Sequence, residues 1–448
     1  MCSSQPTCDY FFVISLLRLL CFYAMNTIAT TSAPLRTTVI IGSKPQPIPW
    51  YLWACLAAGF CIAFGLYWDI SWHESIGRDT FWTPAHLLIQ FGAVLAGMYS
   101  SFLIFGTTFG KNQAAKDASV NVLGFRGPFG AFVCAWGGAA MITSAPFDNW
   151  WHEAYGLDVR IVSPPHTLLA MGIAALMWGG ILLIVGSMNR AEGVLRRQLE
   201  LMLLAAGGFI VVLSMLFKLE YTNRIFMHSG ILYLVSAIGL PLFWESLSIA
   251  TGWRWARTIM AAIYTAFFLI TLWTFPLFAA EPKLGPVYQP VTHMIPLHFP
   301  LLILAPAVVL DLLEPKMSVW SKWLQSGTER ILIVLPAIVR GLLKRKINTW
   351  SKLLQAAPKG IIFVATLIAV QWPFANFLMS PASRNWIFGT HYFLFFLPPN
   401  TRQATSQFAV WELTAAHFWR NITLAFVIAI FNVAIGIVFG NWLRRVRR

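Results

Sequence analysis

The sequence predicts an all-α protein: a polytopic membrane bundle of about ten transmembrane helices, built in part by duplication of one helix hairpin. Three observations carry that expectation. The chain of 448 residues is 58% hydrophobic and only 11% charged, whereas soluble domains carry about 25% charged residues. Its apolar residues fall into long runs near the ~20 residues that a helix needs to cross a bilayer core. The segment 68–92 recurs at 147–172 with its polar residues kept. Together these exclude a water-soluble globular protein and a disordered chain. The 21 Trp and 35 Phe suit a surface that meets lipid and anchors at its interfaces.

The elements follow in order. Residues 1–49 are an N-terminal segment whose apolar stretch, Tyr10 to Ala24, is interrupted by Arg18. Met25 offers a second start, so this stretch enters no fold argument. Apolar runs at 50–68, 86–106, 129–147 and 166–187 make a four-helix unit over 50–190 that holds both copies of the repeat. Runs at 200–218, 225–247, 257–279 and 296–313 give four further spans over 200–313. Residues 314–359 are basic, and the run 331–343 carries Arg340 ahead of Lys344, Arg345 and Lys346. That stretch reads as an amphipathic cytoplasmic segment on the membrane surface. The last two spans, 360–380 and 419–441, lie within 360–448. Between them the outer segment 381–418 is rich in aromatics (Trp386, Phe388, Tyr392, Phe393, Phe395, Phe396) and reads as a lid or docking element. The six cysteines contain no C-x-x-C. Cys55, Cys61 and Cys134 sit inside apolar runs and read as small buried hydrophobes.

Lys and Arg orient the chain. With residues 25–49 inside, twenty-three basic residues fall on the inner side and eight on the outer. The bias places both termini in the cytoplasm of a multi-pass protein, for a bacterial cell in the inner membrane. It also accounts for the net charge of +15 without nucleic acid as a partner. All nine histidines then fall at the outer side.

Ten positions match between the two copies of the repeat. They are Asp69/Asp148, Trp72/Trp151, His73/His152, Glu74/Glu153, Gly77/Gly156, Asp79/Asp158, Pro84/Pro164, His86/His166, Leu88/Leu168 and Gly92/Gly172. Asp69 and His73 are i and i+4, as are Asp148 and His152, which puts each pair on one helix face. Thr83-Pro84-Ala85-His86 and Ser163-Pro164-Pro165-His166 both read as N-cap, N1, N2 and N3 of the next helix. A His at N3 meets the positive end of the helix dipole, which favours the neutral ring that a metal needs. Each hairpin therefore presents one carboxylate and two imidazoles, a donor set for copper, iron or zinc. Such residues also cap helix ends and pair with Arg78 and Arg160. The same three residue types in both copies favour metal. Glu74 and Glu153 face elsewhere and read as acids beside the donor set, while Asp79 and Asp158 read as loop acids paired with Arg78 and Arg160.

On these residues the chain resembles the C subunit of the copper membrane monooxygenases, the particulate methane and ammonia monooxygenase family. Asp69, His73 and His86 match its Asp-x3-His-x12-His copper site. Asp148, His152 and His166 match its Asn-x3-His-x13-His site, with Asp in place of Asn. The resemblance covers roughly residues 50–190. It implies copper as cofactor, partner membrane subunits, and O2-dependent hydroxylation of a small apolar or gaseous substrate near the outer face. It assigns no catalytic residue here. The substitution of Asp148 for Asn makes the second site more anionic.

The second half offers weaker signals. His228, His293, His298, His391 and His417 are each isolated, and Glu220 could join His228 or His293. No G-x-x-x-x-G-K-[ST], H-E-x-x-H or G-x-S-x-G occurs, which leaves a nucleotide-driven pump, a zincin and a serine hydrolase without support. A metal-ion transporter and a non-catalytic scaffold remain alternatives to the oxygenase-like reading. Transport predicts acids at more than one depth, for which Glu245 and Asp311 are the near candidates.

Overall fold

The computed structural model describes residues 47–77, 82–156, 163–222, 226–281, 283, 291–334, 337–378, 380–389 and 415–447. The expectations for the N-terminal segment, for Arg78, Asp79, Asp158, Arg160 and His391, and for most of the aromatic segment 381–418 lie outside these residues. Among those described, the chain is an all-α helical bundle, and nine stretches are long and apolar enough to cross a membrane. It is a multi-pass integral membrane protein. Its outward surface bears Trp53, Phe60, Phe91, Met98, Phe102 and Phe105, an apolar exposure that water would penalise and lipid does not.

The repeat folds as two antiparallel hairpins. The first joins α1 (Trp50–Ser75) to α2 (Pro84–Phe109). A short helix α3 (Gln113–Asp117) and the hairpin of β1 (Val120–Val122) and β2 (Phe125–Gly127) then lead to the second. That one joins α4 (Phe129–Tyr155) to α5 (Pro164–Met188). Glycine explains the tight crossings. A Cβ at Gly92 would stand 2.7 Å from Ile62 and 3.0 Å from the Ala58 carbonyl, and one at Gly172 would stand 2.7 Å from Met141 and 2.8 Å from the Gly137 carbonyl. The matched pair Gly92/Gly172 thus marks the same close approach in each copy. Small residues play this part where lipid supplies no hydrophobic drive between helices. Gly138 of α4 in turn sits against the Ala93 carbonyl of α2. Because the helices alternate in direction, both Asp/His/His motifs lie at the same end of the bundle.

Helix α6 (Gly193–Leu216) packs across the hairpins, followed by the single turn α7 (Leu219–Thr222). The apolar run 225–247 predicts one span. The structure has one such stretch, Gly230–Thr251, interrupted between α8 (Gly230–Ala237) and α9 (Leu240–Thr251). Gly239 at the break has φ 84, a conformation open to glycine. The freed backbone groups are met from other helices: Gly239 N–H donates to Asn432 Oδ1 at 3.1 Å, and the Lys218 ammonium donates to the Ile238 carbonyl. Helices α10 (Ala256–Thr274), α11 (Leu304–Val334), α12 (Ala337–Leu378) and α13 (Ala415–Leu443) complete the bundle.

The expected span 296–313 needs correction. Helix α11 starts only at Leu304, and residues 294–301 are non-helical although Met294, Ile295, Leu297 and Leu301 are buried. Pro296 and Pro300 lack the N–H that a helix interior requires. Side chains satisfy the backbone instead. Ile295 N–H donates to Ser75 Oγ at 2.7 Å, Leu297 N–H to Tyr67 Oη at 3.0 Å, Leu301 N–H to Tyr264 Oη at 3.1 Å, and Leu302 N–H to Gln371 Oε1 at 3.0 Å. Irregular backbone at membrane depth persists only where protein encloses it in this way.

Candidate metal centre

The last turns of α1 carry Asp69 and His73 on one face, as their i, i+4 spacing requires. His73 Nε2 lies 3.5 Å from Asp69 Oδ1. The chain leaves this helix at Gly77, which has φ 98, and its match Gly156 has φ 84. Glycine recurs at both exits because this left-handed turn disfavours a Cβ. Helix α2 then begins as its sequence predicts. The Thr83 hydroxyl accepts the His86 N–H at 3.2 Å, Pro84 fills the first turn, and His86 Nε2 comes within 2.9 Å of Asp69 Oδ1.

The second hairpin repeats the arrangement more loosely. His152 and His166 each place Nε2 3.5 Å from Asp148 Oδ1, and the Ser163 hydroxyl accepts the His166 N–H at 3.4 Å. His152 Nδ1 lies 3.2 Å from the Gly156 carbonyl. With a proton on Nδ1 directed there, the Nε2 lone pair is left for a ligand, the usual way a ligating ring is oriented. Among the described residues only Asp69, His73 and His86 bring three donor atoms all within 4.8 Å of one another. The ring centroids are 6.1 Å apart in the first copy and 6.5 Å in the second.

The electrostatics of both sites can accommodate a cation. Oδ1 of Asp69 and Oδ1 of Asp148 are buried, and neither makes a hydrogen bond among the described residues, although two imidazole nitrogens crowd each. With the proton of each ring on Nδ1, a carboxylate oxygen faces two Nε2 lone pairs and a cation between them relieves the repulsion; with a proton on Nε2 the same contacts are ion pairs. Donors held about 2.0–2.1 Å from one ion, at angles of about 90–110°, stand roughly 2.9–3.4 Å apart. In the first copy the 2.9 Å distance falls in this range and the 3.5 Å distance just above it, while both distances of the second copy, 3.5 Å, lie just above it. The residues present therefore fit a metal ion, the first set better than the second.

Glu74 and Glu153 are exposed, and Glu153 accepts a hydrogen bond from Asn149 at 2.8 Å rather than joining the donors. Aromatics surround the second tip: Phe147 stacks on Trp150, and Trp151 packs on Tyr155 at 4.5 Å. Among the described residues, the other histidines do not join either site. His228 Nε2 pairs with Asn376 Oδ1 at 2.7 Å, and burial holds its imidazole below the usual value against that hydrogen bond. His293 Nδ1 meets the Thr292 hydroxyl at 2.8 Å, and His298 Nδ1 lies 3.0 Å from the Phe299 carbonyl. Cys55, Cys61 and Cys134 are free thiols in helices, and burial of Cys55 and Cys134 agrees with a packing role.

Sequence reasoning missed two features. One is the support behind Asp69 and His73: Ser71, Ser75 and Tyr67 of the same helix clamp the extended segment at Ile295 and Leu297. Serines at i and i+4 facing an interior were the available signal. The other lies at the opposite end of the bundle. Arg257 donates to Asp311 at 2.8 Å, Glu245 at 2.6 Å and Glu314 at 2.8 Å, and Lys359 reaches Glu245 at 2.6 Å and Glu314 at 3.0 Å. Set against protein-family models, curated proteins and solved structures, the chain matches none. Its function has to be read from its sites.

Proposed function

We propose that the chain is an integral membrane metal protein whose outer face carries two ion sites, Asp69–His73–His86 and Asp148–His152–His166, with copper as the ion. The observation that carries this reading is Asp69 Oδ1, buried, without a hydrogen bond, and 2.9 and 3.5 Å from two imidazole nitrogens. Copper leads zinc and iron because it heads the affinity order of divalent first-row metals at nitrogen and oxygen donors, and because the spacing resembles the copper monooxygenase C subunit. When bound, copper would supply the redox chemistry for O2-dependent hydroxylation of a small apolar or gaseous substrate. The chain's own residues bind and orient. Capped helix starts fix His86 and His166, and Gly156 fixes the His152 ring. Partner membrane subunits, implied by the resemblance, would complete such an enzyme. The basic-residue bias puts these sites on the outer side of the inner membrane and both termini in the cytoplasm. Mass-spectrometric metal analysis of the purified protein tests the reading. Copper should be present in the wild type and fall in the paired variants His73→Ala/His86→Ala and His152→Ala/His166→Ala; metal content unchanged in both would overturn it.

A metal-ion transporter is the second reading, and two observations favour it. The break between α8 and α9 resembles the interrupted helices of transporters. The cluster of Glu245, Asp311 and Glu314 supplies acids at a second depth. Metal flux into proteoliposomes separates the two: uptake lost on Glu245→Gln supports transport, and no flux with full copper loading supports the oxygenase-like reading.

A further inference from the structure

The bundle end opposite the Asp/His sites holds a cavity of about 320 Å³, lined by Ser248, Trp253, Arg254, Arg257, Glu314 and Arg444 among others. Its place follows from α10, which starts beside it and runs 19 residues, about 28 Å. At the far end of that helix the Phe275 ring packs 5.2 Å from Tyr67, two residues before Asp69. The cavity thus opens on the other membrane face.

We infer that this cavity binds a phosphate-bearing anion, the phosphodiester of an anionic lipid headgroup or free phosphate. Charge decides the sign of the ligand. The three buried or half-buried carboxylates nearby are already occupied: Glu245 and Glu314 each take both Arg257 and Lys359, and Asp311 takes Arg257 plus the backbone and hydroxyl donors of Thr258 at 2.8 Å. They hold Arg257 rigidly at the cavity wall. Arg254 and Arg444 differ, since among the described residues neither pairs with a carboxylate. The Arg444 Nε donates to the Ile249 carbonyl at 2.6 Å, which steadies its guanidinium at the cavity wall beside the end of α9. Arg254 lies over the Trp255 ring at 5.3 Å. Two steadied guanidinium forks are suited to phosphate oxygens, which they bind bidentately. The same face gathers further charge, since Asn189 donates to the Leu443 and Val446 carbonyls and Arg190 to that of Arg447, tying Arg445 and Arg447 beside it. Ile249, Trp253 and Pro315 give the cavity an apolar side that a lipid's glycerol end could line. Basic pockets between helices on this face are the usual seats of anionic headgroups.

The test uses the full chain in an uncharged detergent. Native mass spectrometry follows added phosphatidylglycerol against phosphatidylcholine, and calorimetry follows inorganic phosphate at low salt. The wild type should hold phosphatidylglycerol at least tenfold more tightly than phosphatidylcholine, or bind phosphate if free phosphate is the source. The variant Arg254→Gln/Arg444→Gln should lose that preference about tenfold or more, while Arg254→Lys/Arg444→Lys keeps part of it. Metal content and elution profile equal to wild type show that the variants fold. The inference is overturned if the wild type neither prefers phosphatidylglycerol nor binds phosphate, or if the Gln variant binds as the wild type does.

Discussion

Replacing His86 by Ala is the sharpest test of the metal reading. His86 Nε2 is the nitrogen nearest Asp69 Oδ1, at 2.9 Å against 3.5 Å for His73. A four-ligand structural zinc site is worth about 10–16 kcal/mol, or roughly 2.5–4 kcal/mol per ligand. At about 1.4 kcal/mol per factor of ten, losing one donor weakens the ion by roughly 10²–10³-fold. The helix should survive, because the backbone N–H at position 86 still reaches the Thr83 hydroxyl and Ala is a good helix former. Competition with a chromophoric chelator, checked by elemental analysis, reads the affinity. Thr83→Ala is the companion. It removes the cap, at a cost of about 1 kcal/mol, yet keeps all three donors. The reasoning fails if His86→Ala binds as tightly as the wild type. It fails equally if Thr83→Ala weakens binding as much as His86→Ala, since the loss would then report a frayed helix end and not a missing ligand.

Further outcomes are expected. Ser75→Ala leaves the buried Ile295 N–H without its acceptor and should cost about 1–3 kcal/mol, read as a lower unfolding temperature in detergent. Arg257→Met leaves Asp311 without a counter-charge and Glu245 with Lys359 alone and should cost about 3–5 kcal/mol; Asp311→Asn in the same chain should recover part of that loss in the same assay. Gly172→Leu forces side-chain atoms into Met141 and the Gly137 carbonyl, where even a Cβ would stand at 2.7–2.8 Å. It should lower metal at the second site while leaving the first loaded, measured in a His86→Ala background and alone.

The repeat was legible because its residues act locally. Thr83 and Ser163 cap the next turn, Pro84 and Pro164 open it, and Asp69/His73 and Asp148/His152 share a face through helix periodicity alone. The matched glycines carried two meanings that sequence could not separate: Gly77 and Gly156 take positive φ, whereas Gly92 and Gly172 admit a neighbouring helix. The run 296–313 misled because an apolar composition reports burial and not conformation. Its two prolines were the warning, and the hydroxyls of Ser75, Tyr67 and Tyr264 that rescue its backbone come from helices far away in the chain. The run 225–247 hid its break for the same reason, since Asn432 and Lys218 supply the rescue from outside it.

Sequence by itself determined that this chain lives in lipid, that one hairpin is used twice, and which six side chains meet at its tips, because hydropathy, helix periodicity and capping need only near neighbours. The tertiary structure alone decided that the first trio closes within 4.8 Å while the second stays more open. It alone gathered Arg257, Lys359, Glu245, Asp311 and Glu314 into one buried knot, with Arg254 and Arg444 left at its rim. Those partners lie on separate stretches of chain, and a charge buried in a bundle is stable only where packing happens to deliver its counter-charges.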